Sequence, residues 1–442
     1  MIRRIVYVSR QMTGESLRSA KAIQRLPDVE LFGICEQEPD SACAKVFADL
    51  ICVTKADDPV QLVAAAEVLA GRQRPLSQLV TAQEPLLDAV AQANEELKLQ
   101  AMGLATVRRT LNKARFRQTV TEAGIKTPQH KIVTSKQDAL TFAGELGFPI
   151  VLKPLSGSGA LGTWCVRNAQ QFESALDLFQ PTSEKVLLVE QHVAGRELAI
   201  DTITIHNEPQ FYSVCCYRPS ILEALEHSHV QWTCIMPRSI SEACDQQVIQ
   251  NGLAAIRALR VGNAMTHMEA LLPEDGDPVF IDATLRPAGA RIGPMLAFAY
   301  DIDPHFAWAR AVIDGAFDGP WERKYAVGTI FLRGTGAGVI ERVSGLDVVK
   351  EKLGELIVDA RLPLLQAAKA ASYTGDGYIT LRHPETRVVE QTLRSIAETV
   401  HITYSETEFA KQNANDQWSP QIRFFDQQMT KPAWEDDSLP TL

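Results

Sequence analysis

Residues 148–168 read FPIVLKPLSGSGALGTWCVRN, and no other stretch narrows the fold as much. The β-branched and aromatic residues on both sides of the glycines favour extended backbone, so the segment is predicted as strand, glycine-rich loop, strand. That makes it a hairpin. The string Gly157 to Gly162 also satisfies G-x-G-x-x-G, but a dinucleotide fingerprint needs a helix directly after the glycines. A second strand follows here, which excludes that reading. A glycine loop between antiparallel strands can instead lie over phosphates, because backbone N–H groups approach closely where no Cβ intervenes. Read alone, it is equally a plain surface hairpin.

Neighbouring residues weigh on the choice. Lys153 sits in an apolar strand just before the loop and needs an anionic partner or an exit to solvent. Lys113, in LNKARFR, is by itself a helix-surface cation. In VLLVEQHVAGRELAI, Glu190 ends an apolar run and Glu197 follows across a turn at Gly195. A strand exit of this kind can pair its backbone with a base while carboxylates accept from amino or hydroxyl groups. Two solvated glutamates beside a turn is the plainer alternative. Further on, HMEALLPEDGDPVFIDATLR places Glu269 and Asp282 on two adjacent predicted strands. Facing carboxylates repel unless a cation lies between them, and Mg²⁺ bridging to phosphate is the common solution. Arg286 can then brace a phosphate or a developing oxyanion. The alternative is a cross-strand surface pair with a nearby arginine.

The frame around these residues is large. With 442 residues the chain is long enough for two to three domains. Its 45% hydrophobic and 22% charged residues are a globular mixture, and no apolar run approaches a membrane span. The net charge of -10 supplies no global basic field for nucleic acid or anionic lipid. Eight cysteines without a CxxC pair argue against structural zinc or a disulfide framework. The N-terminus has no signal-peptide core, so a cytoplasmic setting is the expectation. The first hundred residues alternate short β-rich runs with helical periods, which predicts an open parallel α/β sheet. The texture changes to a charged helix near residue 106. The region 322–404 repeats strand and helix signals as a small α+β unit, and the last 38 residues are polar with three prolines.

In order, Lys113, Lys153, SGSGALG, VEQHVAGRE, Glu269 and DATLR resemble the ATP-grasp superfamily, most closely its carboxylate–amine ligase branch. The C-terminal region is similar, more loosely, to the closing domain of L-amino-acid ligases, the dipeptide-forming enzymes. The resemblance implies an α/β fold in which a Rossmann-like parallel domain (1–105) precedes an ATP-grasp domain (106–320, lid about 125–200). A small α+β domain (321–405) and a polar tail (406–442) follow. It implies that Lys113 and Lys153 hold ATP phosphates and that Ser156, Gly157, Ser158, Gly159 and Gly162 belong to a lid over them. Glu190 would meet the adenine amino group, the backbone at Val193 the ring and Glu197 the ribose. Glu269, Asp282 and Thr284 would carry one or two Mg²⁺ ions, with Mn²⁺ as a substitute. Arg286 would be catalytic, and His229, Arg286 and Gly289 would line the substrate side, with Arg291 a candidate selector.

One departure is visible in the motif. The family commonly ends this strand with Glu-x-Asn-x-Arg, whereas Asp282 and Thr284 stand here, a shorter carboxylate and a poorer Mg²⁺ ligand. The implied activity is ATP-dependent amide or peptide bond formation through an acyl phosphate, joining amino acids or a small carboxylate and an amine. A bicarbonate-activating enzyme like biotin carboxylase and an ATP-binding module without ligase activity are the alternatives. Expected partners are small molecules, not nucleic acid or membrane, and a homodimer is the commonest assembly for such a protein.

Overall fold

A computed structural model describes residues 2–406 apart from 72–74, 156, 158–161, 241–242, 275 and 371. Ser156, Ser158, Gly159 and the tail beyond residue 406 therefore lie outside the described residues. Strands β1 (Arg3–Ser9), β2 (Val29–Cys35), β3 (Asp49–Cys52) and β4 (Gln78–Val80) form an all-parallel sheet in the order β3-β2-β1-β4. The pleat sends Val6 and Val8 of β1 into one core and Ile5 and Tyr7 into another, so both faces are covered as a parallel sheet requires. The crossover helix Pro59–Ala70 starts where Asp58 accepts from the Val60 N–H and Pro59 presets the first turn.

A second, antiparallel sheet has the order β5-β8-β6-β7, from β5 (His130–Val133), β6 (Ile150–Lys153), β7 (Trp164–Val166) and β8 (Leu187–Gln191). The predicted hairpin is β6 and β7, with Leu152 opposite Trp164. Ile150, Leu152 and Val189 pack onto the helices Lys136–Leu146 and Ala169–Phe179 through Phe172 and Ala143. The other face carries Val151, Lys153 and Glu190.

The largest sheet is antiparallel throughout. Its members are β9 (Arg196–Ile205), β10 (Glu208–Arg218), β11 (Trp232–Met236), β12 (Ala264–Leu272), β13 (Val279–Thr284) and β14 (Ala326–Leu332). After β15 (Thr335–Ala337) and β16 (Ile340–Ser344) come its last two strands, β17 (Ile357–Arg361) and β18 (Gly377–His383). The order is β13-β12-β9-β10-β11-β14-β18-β17, and β15, β16 and β19 (His401–Glu406) make a small separate sheet.

The change of texture to a charged helix near residue 106 falls inside the helix Leu104–Leu111, and helices carry the chain between the first two sheets. One grouping differs from the sequence-based expectation. The C-terminal region lends β14, β18 and β17 to the large sheet. The physical reason is that β14 is buried at every position and pairs with β11 along its length, so neither strand could stand as a free edge.

Gly195, in the turn between β8 and β9, is the tightest approach near the later cavity. A Cβ there would lie 2.5 Å from the Leu272 carbonyl oxygen and 2.8 Å from the Pro273 nitrogen, backbone atoms that cannot rotate away. Gly195→Ala should lower unfolding stability by about 1–3 kcal/mol, read as a lower urea midpoint at unchanged slope.

Candidate functional site

The site begins with a helix cap. Asn112 accepts from the Ala114 and Arg115 N–H groups, which fixes the start of the helix Lys113–Glu122. Lys113 and Arg117 then share one face, four residues apart, while Phe116 and Val120 enter the core. Lys113 Nζ lies 2.6 Å from Asp282 Oδ2 and donates to the Gly157 carbonyl at 3.1 Å. Arg117, fully buried, pairs with Glu190. Register supplies the third member: Val151 is opposite Glu190, so Lys153, two residues along β6, shares its face and reaches Glu190 Oε1 at 2.6 Å.

This triad settles its own charge states. Burial raises the Glu190 carboxyl, but Arg117 and Lys153 overrule it and hold it below the usual carboxylate range. Burial lowers Lys153 from 10.5 to about 8 against the pull of Glu190. Glu190, read from sequence as a partner for an adenine amino group, is 4% exposed with both carboxylate oxygens already paired to cations.

The facing wall is the end of the large sheet. Glu269 is paired with Asp282 of β13 and with Ala199 of β9, and His267 with Thr284 and Asp201. The pleat puts Glu197, Asp201, His267, Glu269, Asp282 and Thr284 on one surface. A bulge makes this compatible with the core behind it: Ile281 is skipped in the pairing, so Phe280 faces the apolar cluster although it is two residues from Asp282. Without the extra residue, Phe280 and Asp282 would share a face.

Charges on this surface are mutually arranged. His267 Nδ1 lies 3.0 Å from Asp201 and its Nε2 3.6 Å from Glu269. Burial opposes its protonation, but the charge of Asp201 and their hydrogen bond carry His267 to about 10. Burial would raise Glu269, yet the hydrogen bond and charge of His267 hold it below the usual range. Asp282 is raised, first by burial, with Glu269 adding repulsion and Lys113 opposing. Glu197 is pushed to about 8, first by burial and then by Glu269, and accepts from the Ile221 N–H at 2.6 Å.

Between the two walls lies a cavity of about 470 Å³. Lys113, Lys153, Gly157, Glu190, Val193, Glu197, Glu269, Asp282, Thr284 and Arg286 all line it. Gly157 (φ 129°) and Gly162 (φ 71°) both hold conformations that favour glycine. Gly289 lines a neighbouring cavity, and His229 lies exposed on the turn after the helix Ile221–Glu226, where His227 contributes to the first cavity's wall. Sequence reasoning missed Arg117, His267, Asp201 and Glu84, which pairs with Arg286 at 2.8 Å. Arg117 was signalled by its i+4 spacing from Lys113, and His267 by its i−2 spacing from Glu269. Asp201 becomes visible only through strand register.

Among the described residues, no group of three or more His, Cys, Asp or Glu side chains could hold an ion by itself. Glu269 and Asp282 are the opposed oxygen donors, and the buried Thr284 hydroxyl has no hydrogen-bond partner among the described residues. Two carboxylates with open positions suit Mg²⁺, which keeps several ligands from water or phosphate, and not a closed zinc site. Replacing Arg117 by Met would leave Glu190 short of one buried cation. It should cost about 3–5 kcal/mol of stability, measured by urea denaturation.

Residues 118–272 match the family model described as the ATP-grasp domain. Alanine–anticapsin ligase of Bacillus subtilis (strain 168) is 22% identical over 265 residues, covering 55% of this chain and 54% of that protein. The chain spans about half the length, or less, of the curated relatives it matches first. The crystal structure of an L-amino acid ligase from Bacillus licheniformis superposes with a TM-score of 0.72 at 18% identity, over 91% of this chain and 99% of that one. N5-carboxyaminoimidazole synthetase from Staphylococcus aureus, complexed with ADP, gives 0.67 at 15% identity over 89% and 97%. At these identities the superpositions speak for the fold. The mixed α/β architecture, with the β6–β7 pair, the two lysines and the carboxylate-bearing strands around one cleft, is similar in fold to these ligase structures, and within it residues 118–272 match the ATP-grasp domain.

Proposed function

We propose that the protein is an ATP-dependent carboxylate–amine ligase that forms an amide or peptide bond between small molecules, amino acids first among them. The observation that carries this is the convergence of Lys113, Lys153, Glu269, Asp282 and Arg286 on one cavity between two sheets. Two lysines, two carboxylates and an arginine suit a polyphosphate with its cation, and no nucleophile is required because phosphoryl transfer is catalysed by positioning and charge neutralisation. The names of similar proteins, an alanine–anticapsin ligase and L-amino acid ligases, support the same reaction class.

In this reading Lys113 and Lys153 receive the phosphates, and Glu190 orients Lys153. With Glu190 engaged, the backbone from Gln191 to Val193 is left to read the adenine, and Glu197, also in the wall, suits a ribose hydroxyl. Glu269 and Asp282 would hold Mg²⁺, which neutralises phosphate charge when bound. Their mutual repulsion fits a cation between them, as does the Thr284 hydroxyl, which has no partner among the described residues. The substrate carboxylate attacks the γ-phosphorus and ADP leaves. The amine then attacks the acyl carbon and phosphate departs, with Arg286 placed to stabilise the oxyanion. Exclusion of water protects the acyl phosphate from hydrolysis.

Phosphate release from Mg²⁺–ATP should require two substrates from an array of amino acids tried singly and in pairs, and should vanish in Glu269→Ala. Release dependent on bicarbonate alone would point to the carboxylase-like reaction, and ATP binding without release to a binding module. A second expectation follows from Lys153. Burial leaves much of it neutral above about pH 8, and a polyphosphate beside it restores the charge. ATP binding at pH 8–9 should therefore take up protons, seen by calorimetry in buffers of different ionisation enthalpy, and Lys153→Met should remove the uptake.

A further inference from the structure

A second cavity, about 670 Å³, shares Glu84 and Arg286 with the first. It opens at the carboxyl ends of β1 and β4, where the parallel sheet reverses its order, the place at which open α/β sheets receive ligands. The volume is that of an ordinary small-molecule site. Its far wall comes from the C-terminal strands: Arg361 of β17 is paired in register with Tyr378 of β18, and both line the cavity.

Most of the charges here are satisfied. Arg286 is paired with Glu84 at 2.8 Å, Arg291 with Asp359, and Arg10 with Asp57 at 2.8 Å and Glu36 at 3.7 Å. Glu15 is paired with Arg18 and, at 2.8 Å, with His305. Arg361 is different. Among the described residues its guanidinium has neither a carboxylate partner nor a hydrogen-bond acceptor, and it lies 5.6 Å from the Tyr378 ring centroid. Arg291 lies 4.3 Å from the same centroid, so a second cation already occupies that ring. The Arg361 guanidinium therefore keeps its five N–H donors for a ligand.

We propose that this cavity holds a substrate with two anionic groups, the reacting carboxylate near Arg286 and a second carboxylate received by Arg361, as in an acidic amino acid. The orientation rests on the ligase reading above, since Arg286 stands where the two cavities meet. A second carboxylate would complete a bidentate pair with Arg361. A neutral amide of the same shape would lose that charge-assisted pair.

The test is equilibrium binding of glutamate and of glutamine to the full chain with Mg²⁺–ADP present, by calorimetry. Glutamate should bind at least tenfold more tightly than glutamine. Arg361→Gln, at the exposed end of an edge strand, should erase that difference without lowering the melting temperature, and Arg361→Lys should restore part of it. Equal affinities, no binding of either amino acid, or a preference that survives Arg361→Gln would overturn the assignment. Phosphate release measured in parallel reports on the ligase reading separately. Selective glutamate binding with no release for any amine would sink that reading and keep the cavity's assignment. Release from neutral pairs with no preference for glutamate would do the reverse.

Discussion

The buried contact of Glu190 with Arg117 and Lys153 ties one helix and the four-stranded sheet into a single charged unit. A carboxylate almost without solvent is tolerable only while both cations stay in place, because removing one leaves an uncompensated charge in a low-dielectric interior. That requirement fixes the helix Lys113–Glu122 against β6 and β8. Lys113, one turn earlier, then reaches across to Asp282 on the large sheet. The Lys113–Asp282 ion pair thus bridges the helix and the large sheet.

The opposite wall depends on strand pairing. Five ionisable side chains share a patch of β9, β12 and β13: His267, held protonated, lies between Asp201 and Glu269, and Lys113 pairs with Asp282, which faces Glu269. Glu197, outside this chain of partners, is raised to about 8. Behind the patch the same strands present Leu198, Ile200, Met268, Ala270 and Phe280 to the helix Ala243–Leu259. The bulge at Ile281 reconciles the two faces, giving Phe280 to the core and Asp282 to the cleft. An apolar support of this kind keeps the carboxylates from relaxing away from one another.

Much of the cleft was legible from the chain. The glycine hairpin, the two lysines and the Glu269–Asp282 pairing follow from β-favouring runs interrupted at characteristic points, and the structure brings them to one cavity. Arg117 was harder to see because LNKARFR contains several cations, and only the helix phase set by Asn112 separates the buried one from Arg115. The actual surroundings of Glu190 were also out of reach, since an apolar strand ending in a carboxylate looks the same whether the acid faces solvent, a ligand or a buried arginine. The C-terminal strands carried an ambiguity of another kind. Their period showed that they were strands, while their sheet was decided by which edge remained unpaired.

By itself the sequence determined the local elements and the residue types that meet at strand ends, because extended backbone, glycine turns and helix caps are set by interactions within a few residues. The tertiary structure alone decided the joining of β14, β18 and β17 to the large sheet and the pairings of Arg117, His267, Asp201 and Glu84. It also decided the opening of a second cavity between units distant in the chain, with Arg361 in its wall. The His267–Asp201 and Arg286–Glu84 contacts reach across 66 and 202 residues. Burial and register select them, and neither quantity exists until the sheets have packed.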